Sequence, residues 1–159
     1  MNGYTKEVMD HFMNPRNIGE IENADGIGEV GNMKCGDVMY VYIKIGRRPI
    51  LSQKSKVKSQ NGGSLSEAGQ KEIGNLQEEF IEDIKFKTLG CAAAIASSSM
   101  MTELAKGKSL EEAKLISRDD INEALGILPQ QKYHCSILSA EGIQKAITNF
   151  ENNKKTKIK

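Results

Sequence analysis

Val38-Met39-Tyr40-Val41-Tyr42-Ile43-Lys44-Ile45 alternates strictly in polarity. Successive side chains on a strand point to opposite faces, so Met39, Val41, Ile43 and Ile45 would line one face and Tyr40, Tyr42 and Lys44 the other. A second strand, Ile81–Leu89, sets Ile84 and Phe86 against Lys85 and Lys87 in the same way. A short irregular strand is expected around Ile27–Val30, within a stretch, 18–34, rich in glycine and charge. Helical spacing brackets this strand-rich region. Residues 4–13 carry Val8, Met9 and Phe12 on one side with Thr5 as N-cap, and Asn14-Pro15 stops them. After Cys91 the helix Ala92–Lys106 presents Ala96, Met100 and Leu104 as a stripe and ends at Gly107. Ser109-Leu110-Glu111-Glu112 is a capping box for a short helix through Ile116, and Asp119 or Asp120 caps another that carries Ile121 and Leu125. Leu128–Lys132 reads as an extended approach to a last helix, Ser136–Phe150, that buries Ile143, Ala146, Ile147 and Phe150. The fold class is therefore α+β: an antiparallel three-stranded sheet with helices packed on one face.

The chain of 159 residues suits one domain, residues 1–150, followed by a basic tail, 151–159, expected to fray. Residues 47–80 interrupt it as a polar, Gly/Ser-rich insertion, too long for an ordinary hairpin loop, with a helical turn near Glu67–Ile73. Lys and Arg number 22 against 21 Asp and Glu, a net charge of +1, which gives no bulk attraction to nucleic acid or an acidic membrane. No apolar run is long enough to span a bilayer and MNGYTKEVMDHF lacks a signal-peptide core, so a cytoplasmic location with reduced thiols is expected. The 3 cysteines cannot all pair within one chain, so a disulfide framework is not expected.

Those cysteines are the chemically informative residues. Cys35 precedes Gly36 and Asp37, Cys91 follows Gly90, and Cys135 abuts His134. Thiolate and imidazole are ligands for zinc and for iron–sulfur clusters, and Asp37 is a harder oxygen donor that would exchange more readily. Cys91 and Cys135 lie at or just before helix starts, where the dipole favours a thiolate. The spacing alone is a moderate signal. No Cys-x-x-Cys is present, and adjacent His134 and Cys135 are not expected to point the same way in a regular helix. A single cysteine is as readily an inert buried hydrophobe; three with a histidine beside one are not. His11 reads as a solvated or structural residue on the polar side of its helix, and Ser97-Ser98-Ser99 as a small-residue face for close packing. Gly26-x-Gly28-x-x-Gly31 spells a dinucleotide fingerprint, but no strand precedes it and no helix follows, so no phosphate loop is expected.

Four motifs occur together in order. They are Tyr4–Gly19 (with Asp10-His11-Phe12 and Asn14-Pro15-Arg16-Asn17-Ile18-Gly19), Cys35-Gly36-Asp37, Phe86-Lys87-Thr88 through Gly90-Cys91 to Ser99, and Lys132-x-His134-Cys135-Ser136-x-Leu138. In this combination the chain resembles the IscU family of iron–sulfur cluster assembly scaffolds, which also forms the N-terminal domain of NifU. The resemblance implies an assembly scaffold and not a turnover enzyme. In that family a cysteine desulfurase delivers persulfide sulfur, iron and electrons join it from donors of the frataxin and ferredoxin kinds, and a transient [2Fe–2S] cluster passes to apo-proteins. Carried across, Cys35, Cys91, His134 and Cys135 match cluster or zinc ligands and Asp37 the residue tied to cluster lability. Cys135, expected at a loop tip, matches the first sulfur acceptor, and Lys132 a lysine beside the site.

Departures from the family pattern are informative. The chaperone motif Leu-Pro-Pro-Val-Lys reads Leu128-Pro129-Gln130-Gln131-Lys132, which loses preorganisation and an apolar anchor and counts against an Hsp70-type chaperone. Gly-Cys-Gly reads Gly90-Cys91-Ala92, which would alter the local geometry if the second glycine served a positive φ. The resemblance leaves open a homodimer around a shared cluster, and zinc in the isolated protein. The alternatives are a zinc-binding sulfur acceptor of the SufU kind, which typically lacks the histidine, a structural zinc module, and, least in keeping, a cysteine hydrolase.

Overall fold

Residues 3–33, 36–50 and 76–156 are described by the computed structural model. Strands β1 (Gly26–Asn32), β2 (Asp37–Pro49) and β3 (Gln77–Leu89) form the expected antiparallel sheet in the order β1-β2-β3. Val41 stands opposite Gly28 on one side and Phe86 on the other. The alternation read from the sequence holds: Met39, Val41, Ile43, Ile84 and Phe86 are fully buried on the inner face. Ile45 is the exception, only partly buried, because the pairing slips between Lys44 and Ile45. A bulge of this kind displaces the pleat by one residue. β1 is longer and more regular than expected.

Strands β2 and β3 also run further than their hydrophobic pattern. Arg48 pairs with Glu78 and Arg47 with Glu79 across β2 and β3. Arg48 Nε donates to Glu78 Oε2 at 2.7 Å while its guanidinium lies 4.8 Å from the Phe80 ring centre. Cross-strand charge pairs thus carry the ladder where apolar alternation has ended. The ends of the expected 47–80 insertion are therefore strand. Residues 51–75, with the expected turn near Glu67–Ile73, lie outside the described residues.

Helix α1 (Lys6–Met13) is capped as expected, the Thr5 hydroxyl accepting the Val8 N–H at 3.2 Å. Helix α2 (Ala92–Ala105) is buried nearly all round: Ala93, Ala94, Ala96, Ser97, Ser98, Ser99 and Met101 have no exposure, while Met100 and Leu104 of the expected stripe are only partly covered. The Ser97 and Ser98 hydroxyls donate to the Ala93 and Ala94 carbonyls, so this small-residue face is satisfied within its own helix. His11 corrects the surface reading. It is buried against α2, with Nδ1 2.8 Å from Ser99 Oγ and Nε2 3.5 Å from Glu103. That burial lowers its pKa.

Helices α3 (Leu110–Lys114) and α4 (Arg118–Ala124) each begin with a capping box. The second is formed by Ser117 with Asp120 at N3, so Ser117 is the cap and not Asp119 or Asp120. Helix α5 (Tyr133–Thr156) starts before and ends after the expected 136–150. The helix continues through Thr156, and Lys154 near its end donates to Glu79 at 2.7 Å.

Helix α5 lies unusually close to the sheet. A Cβ built on Gly28 would stand 2.3 Å from the Gly142 carbonyl oxygen, and one on Gly142 would stand 2.9 Å from Val41 Cγ2. The glycines of Gly26-x-Gly28 thus serve helix–sheet contact and not phosphate binding. Gly28→Ala is expected to lower stability by about 1–3 kcal/mol through overpacking, read as a drop in the urea midpoint. An unchanged midpoint would contradict this account of the contact.

Candidate metal centre

The end of the sheet brings Asp37 and Cys91 together. Asp37 opens β2, and Val38 pairs with Leu89 at the end of β3. The chain then turns through Gly90 into α2, where Cys91 is the N-cap with φ −78° and ψ 173°. Gly90 is the neighbour that makes room: a Cβ there would lie 3.0 Å from Asp37 Oδ1 and 2.9 Å from Ala94 Cβ. Its steric role was not separable from its motif in the sequence. Ala92 takes ordinary helical geometry as the first residue of α2, and the positive φ values outside glycine fall at Asn17 and Ile127 among the described residues. Alanine therefore fits where the family has glycine.

The first turn of α5 supplies the rest. Cys135 Sγ lies 3.4 Å from His134 Nε2, 3.9 Å from Asp37 Oδ2 and 3.9 Å from Cys91 Sγ. One donor atom each of Asp37, His134 and Cys135 falls within 4.8 Å of the others. The expectation that His134 and Cys135 diverge fails here, because the imidazole is long enough to bend back over its neighbour's sulfur. Cys135 does not sit at a loop tip. It lies in the helix and is fully buried, as is Asp37 at 4% exposure, whereas Cys91 and His134 are half-exposed. The site is thus a closed corner with an open side. Cys35 lies outside the described residues.

Electrostatics follow the burial. Desolvation, reinforced by the charge of Cys91, pushes the Cys135 thiol far above its ordinary value, with Lys132 opposing. The helix start does not give Cys135 the lowered pKa expected from the dipole, because burial outweighs it. Lys132 Nζ is 3.8 Å from Cys91 Sγ, whose negative charge raises the ammonium pKa. The approach expected to be extended is a 3-10 turn over Gln130–Lys132, closed by the Lys132 N–H on the Pro129 carbonyl at 2.7 Å. That turn is what aims Lys132 at Cys91.

The donor set fits a thiophilic metal. Ligands at about 2.3 Å for sulfur and about 2.0–2.1 Å for nitrogen or oxygen around a tetrahedral centre stand roughly 3.5–3.8 Å apart. The 3.4 Å and 3.9 Å separations around Cys135 lie close to that range before any ion binds.

The family model for the NifU-like N-terminal domain matches residues 3–73 and 72–157. The chain belongs to this family. It is 48% identical over 158 residues to "Iron-sulfur cluster assembly scaffold protein IscU 1" of Archaeoglobus fulgidus, covering 98% of this chain and 83% of that one. It is 40% identical over 157 residues to the protein named iron-sulfur cluster assembly scaffold protein IscU of Escherichia coli K12, covering 97% and 98%. A solved structure of a NifU-like protein (N-terminal) from Brucella abortus aligns with TM-score 0.57 at 17% identity over 93% of this chain and 94% of its own. A putative scaffold for the SUF system from Fervidobacterium islandicum aligns with TM-score 0.58 at 21% identity over 91% and 96%. At those identities both show the fold alone.

Proposed function

We propose that this chain is an iron–sulfur cluster assembly scaffold that builds a transient [2Fe–2S] cluster and passes it to apo-proteins. The observation that carries the reading is the mixed donor corner: one ligand atom each of Asp37, His134 and Cys135 within 4.8 Å of the others, with Cys91 Sγ 3.9 Å from Cys135 Sγ. Soft thiolates hold iron and sulfide, while the imidazole and carboxylate keep the grip exchangeable. Cys35, beside Asp37 in the chain, is assigned as a further ligand.

Sulfur enters by persulfide exchange. The Cys135 sulfur attacks the outer sulfur of a desulfurase cysteine persulfide; a new S–S bond forms on Cys135, the old one breaks, and the proton of the Cys135 thiol passes to the desulfurase cysteine, which leaves as thiol. No net oxidation occurs in that step. Reduction of the Cys135 persulfide to sulfide and thiol then takes two electrons, supplied as single electrons by a ferredoxin-type donor. Lys132 supports the site by offsetting anionic charge beside Cys91. The scaffold is not itself consumed, and a second copy sharing the cluster across the open side is compatible with this corner. The 3-10 turn and the buried Leu128 leave little extended apolar peptide for an Hsp70-type chaperone.

Anaerobic incubation with ferrous iron, cysteine and a cysteine desulfurase is expected to give the visible absorption of a [2Fe–2S] cluster, transferable to an apo-ferredoxin. Retention of zinc with no cluster under these conditions would favour the zinc-binding sulfur acceptor instead.

A further inference from the structure

Cys135 is fully buried, so no bulky donor reaches its sulfur unless the corner opens. The connection from α4 to α5 shows where it would give. Leu125 is the C-cap of α4, and Gly126 and Ile127 follow with φ of 73° and 70°. Positive φ is ordinary for glycine, but for a β-branched residue it is an outlier. Ile127 gains little from packing, being 63% exposed, and its N–H is tied to the Asn122 carbonyl at 2.7 Å. Leu128 then plugs into the core and Pro129 lies against Gly3. From there the 3-10 turn leads directly to Lys132, His134 and Cys135.

Thr5 holds this strained link shut. Its hydroxyl donates to the Leu125 carbonyl while accepting the Val8 N–H, so one side chain caps the start of α1 and the end of α4. Its methyl also lies over Gly126, 3.1 Å from where a Cβ would stand. We infer that Thr5 is a latch and Gly126-Ile127 a sprung hinge, so that releasing the Thr5–Leu125 bond lets segment 128–135 swing out and bare the Cys135 thiol. The strain at Ile127 relaxes on opening, which keeps the open form within reach of the closed one. Thr5 is thus a positioning residue that acts on Cys135 through the 125–132 link. The purpose of opening, sulfur entry, rests on the scaffold reading; the motion itself does not.

Alkylation of the metal-free full chain by iodoacetamide, followed residue by residue by mass spectrometry, tests the motion without cluster chemistry. Thr5→Asp keeps an N-cap acceptor for Val8 but cannot donate to Leu125. It is expected to speed Cys135 alkylation on the order of tenfold, while Thr5→Ser, which keeps the hydroxyl, stays near the parent rate. Ile127→Asn tolerates the left-handed backbone and is expected to slow Cys135 alkylation severalfold, whether or not Thr5→Asp folds. In the parent, the rate should rise with urea far less steeply than global unfolding does. The inference is overturned if Ile127→Asn leaves the rate unchanged, if a folded Thr5→Asp does, or if Cys135 reacts only with the full urea slope. A normal result here with no cluster formation would sink the scaffold reading and leave the hinge standing.

Discussion

Cys135→Ser is expected to reduce retention of labelled sulfur from a desulfurase to background, while Cys35→Ser keeps a clear signal. The reason is position as much as chemistry. Cys135 Sγ is the atom in contact with His134, Asp37 and Cys91 at once, so sulfur placed there lies against every described donor of the corner. Serine is close to cysteine in size, and its hydroxyl lies beside the His134 imidazole, so the buried site keeps its shape. It cannot form the S–S bond that holds a sulfane sulfur. Equal retention by the two variants, with parent-like unfolding, would remove Cys135 as acceptor. If Cys91→Ser alone abolished retention, the half-exposed thiol beside Lys132 would take that role.

Strong local patterns made the sheet legible. Met39, Val41 and Ile43 bury as their alternation requires, and Thr5 and Ser109 cap the helices their side chains announce. What escaped has a common cause: it depends on contacts between segments far apart in the chain. The bulge at Lys44/Ile45, the charged extension of β2 and β3, and the burial of His11 against Ser99 have no local sign. Nothing local favours Ser117 over Asp119 and Asp120, which are themselves good caps, and only the box with Asp120 decides between them. The site shows the same division. The residue types of Asp37, Cys91, His134 and Cys135 were readable, yet their burial was not. Cys135 becomes interior because α5 begins at Tyr133 and lies close over glycine-bearing strands, and that burial reverses the pKa shift expected of a thiol at a helix start.

Asp37→Ala is expected to slow loss of an assembled cluster to chelator on the order of tenfold, the scale on which changes around a metal site act. The carboxylate is buried at 4% exposure with Oδ2 3.9 Å from Cys135 Sγ, close enough to compete with sulfur for iron. A hard oxygen bound to iron beside thiolates is the bond that exchanges soonest. It also adds negative charge next to a thiol that burial already disfavours as an anion. Alanine removes both effects and leaves a small space facing Gly90. Asp37→Asn separates the two contributions, since it keeps shape and a weaker oxygen donor while removing the charge. It should fall between the parent and Asp37→Ala. The measurement is the decay of cluster absorbance under excess chelator in anaerobic buffer. A decay constant that Asp37→Ala leaves unchanged would take Asp37 out of cluster release and leave lability to His134 and the opening of the corner.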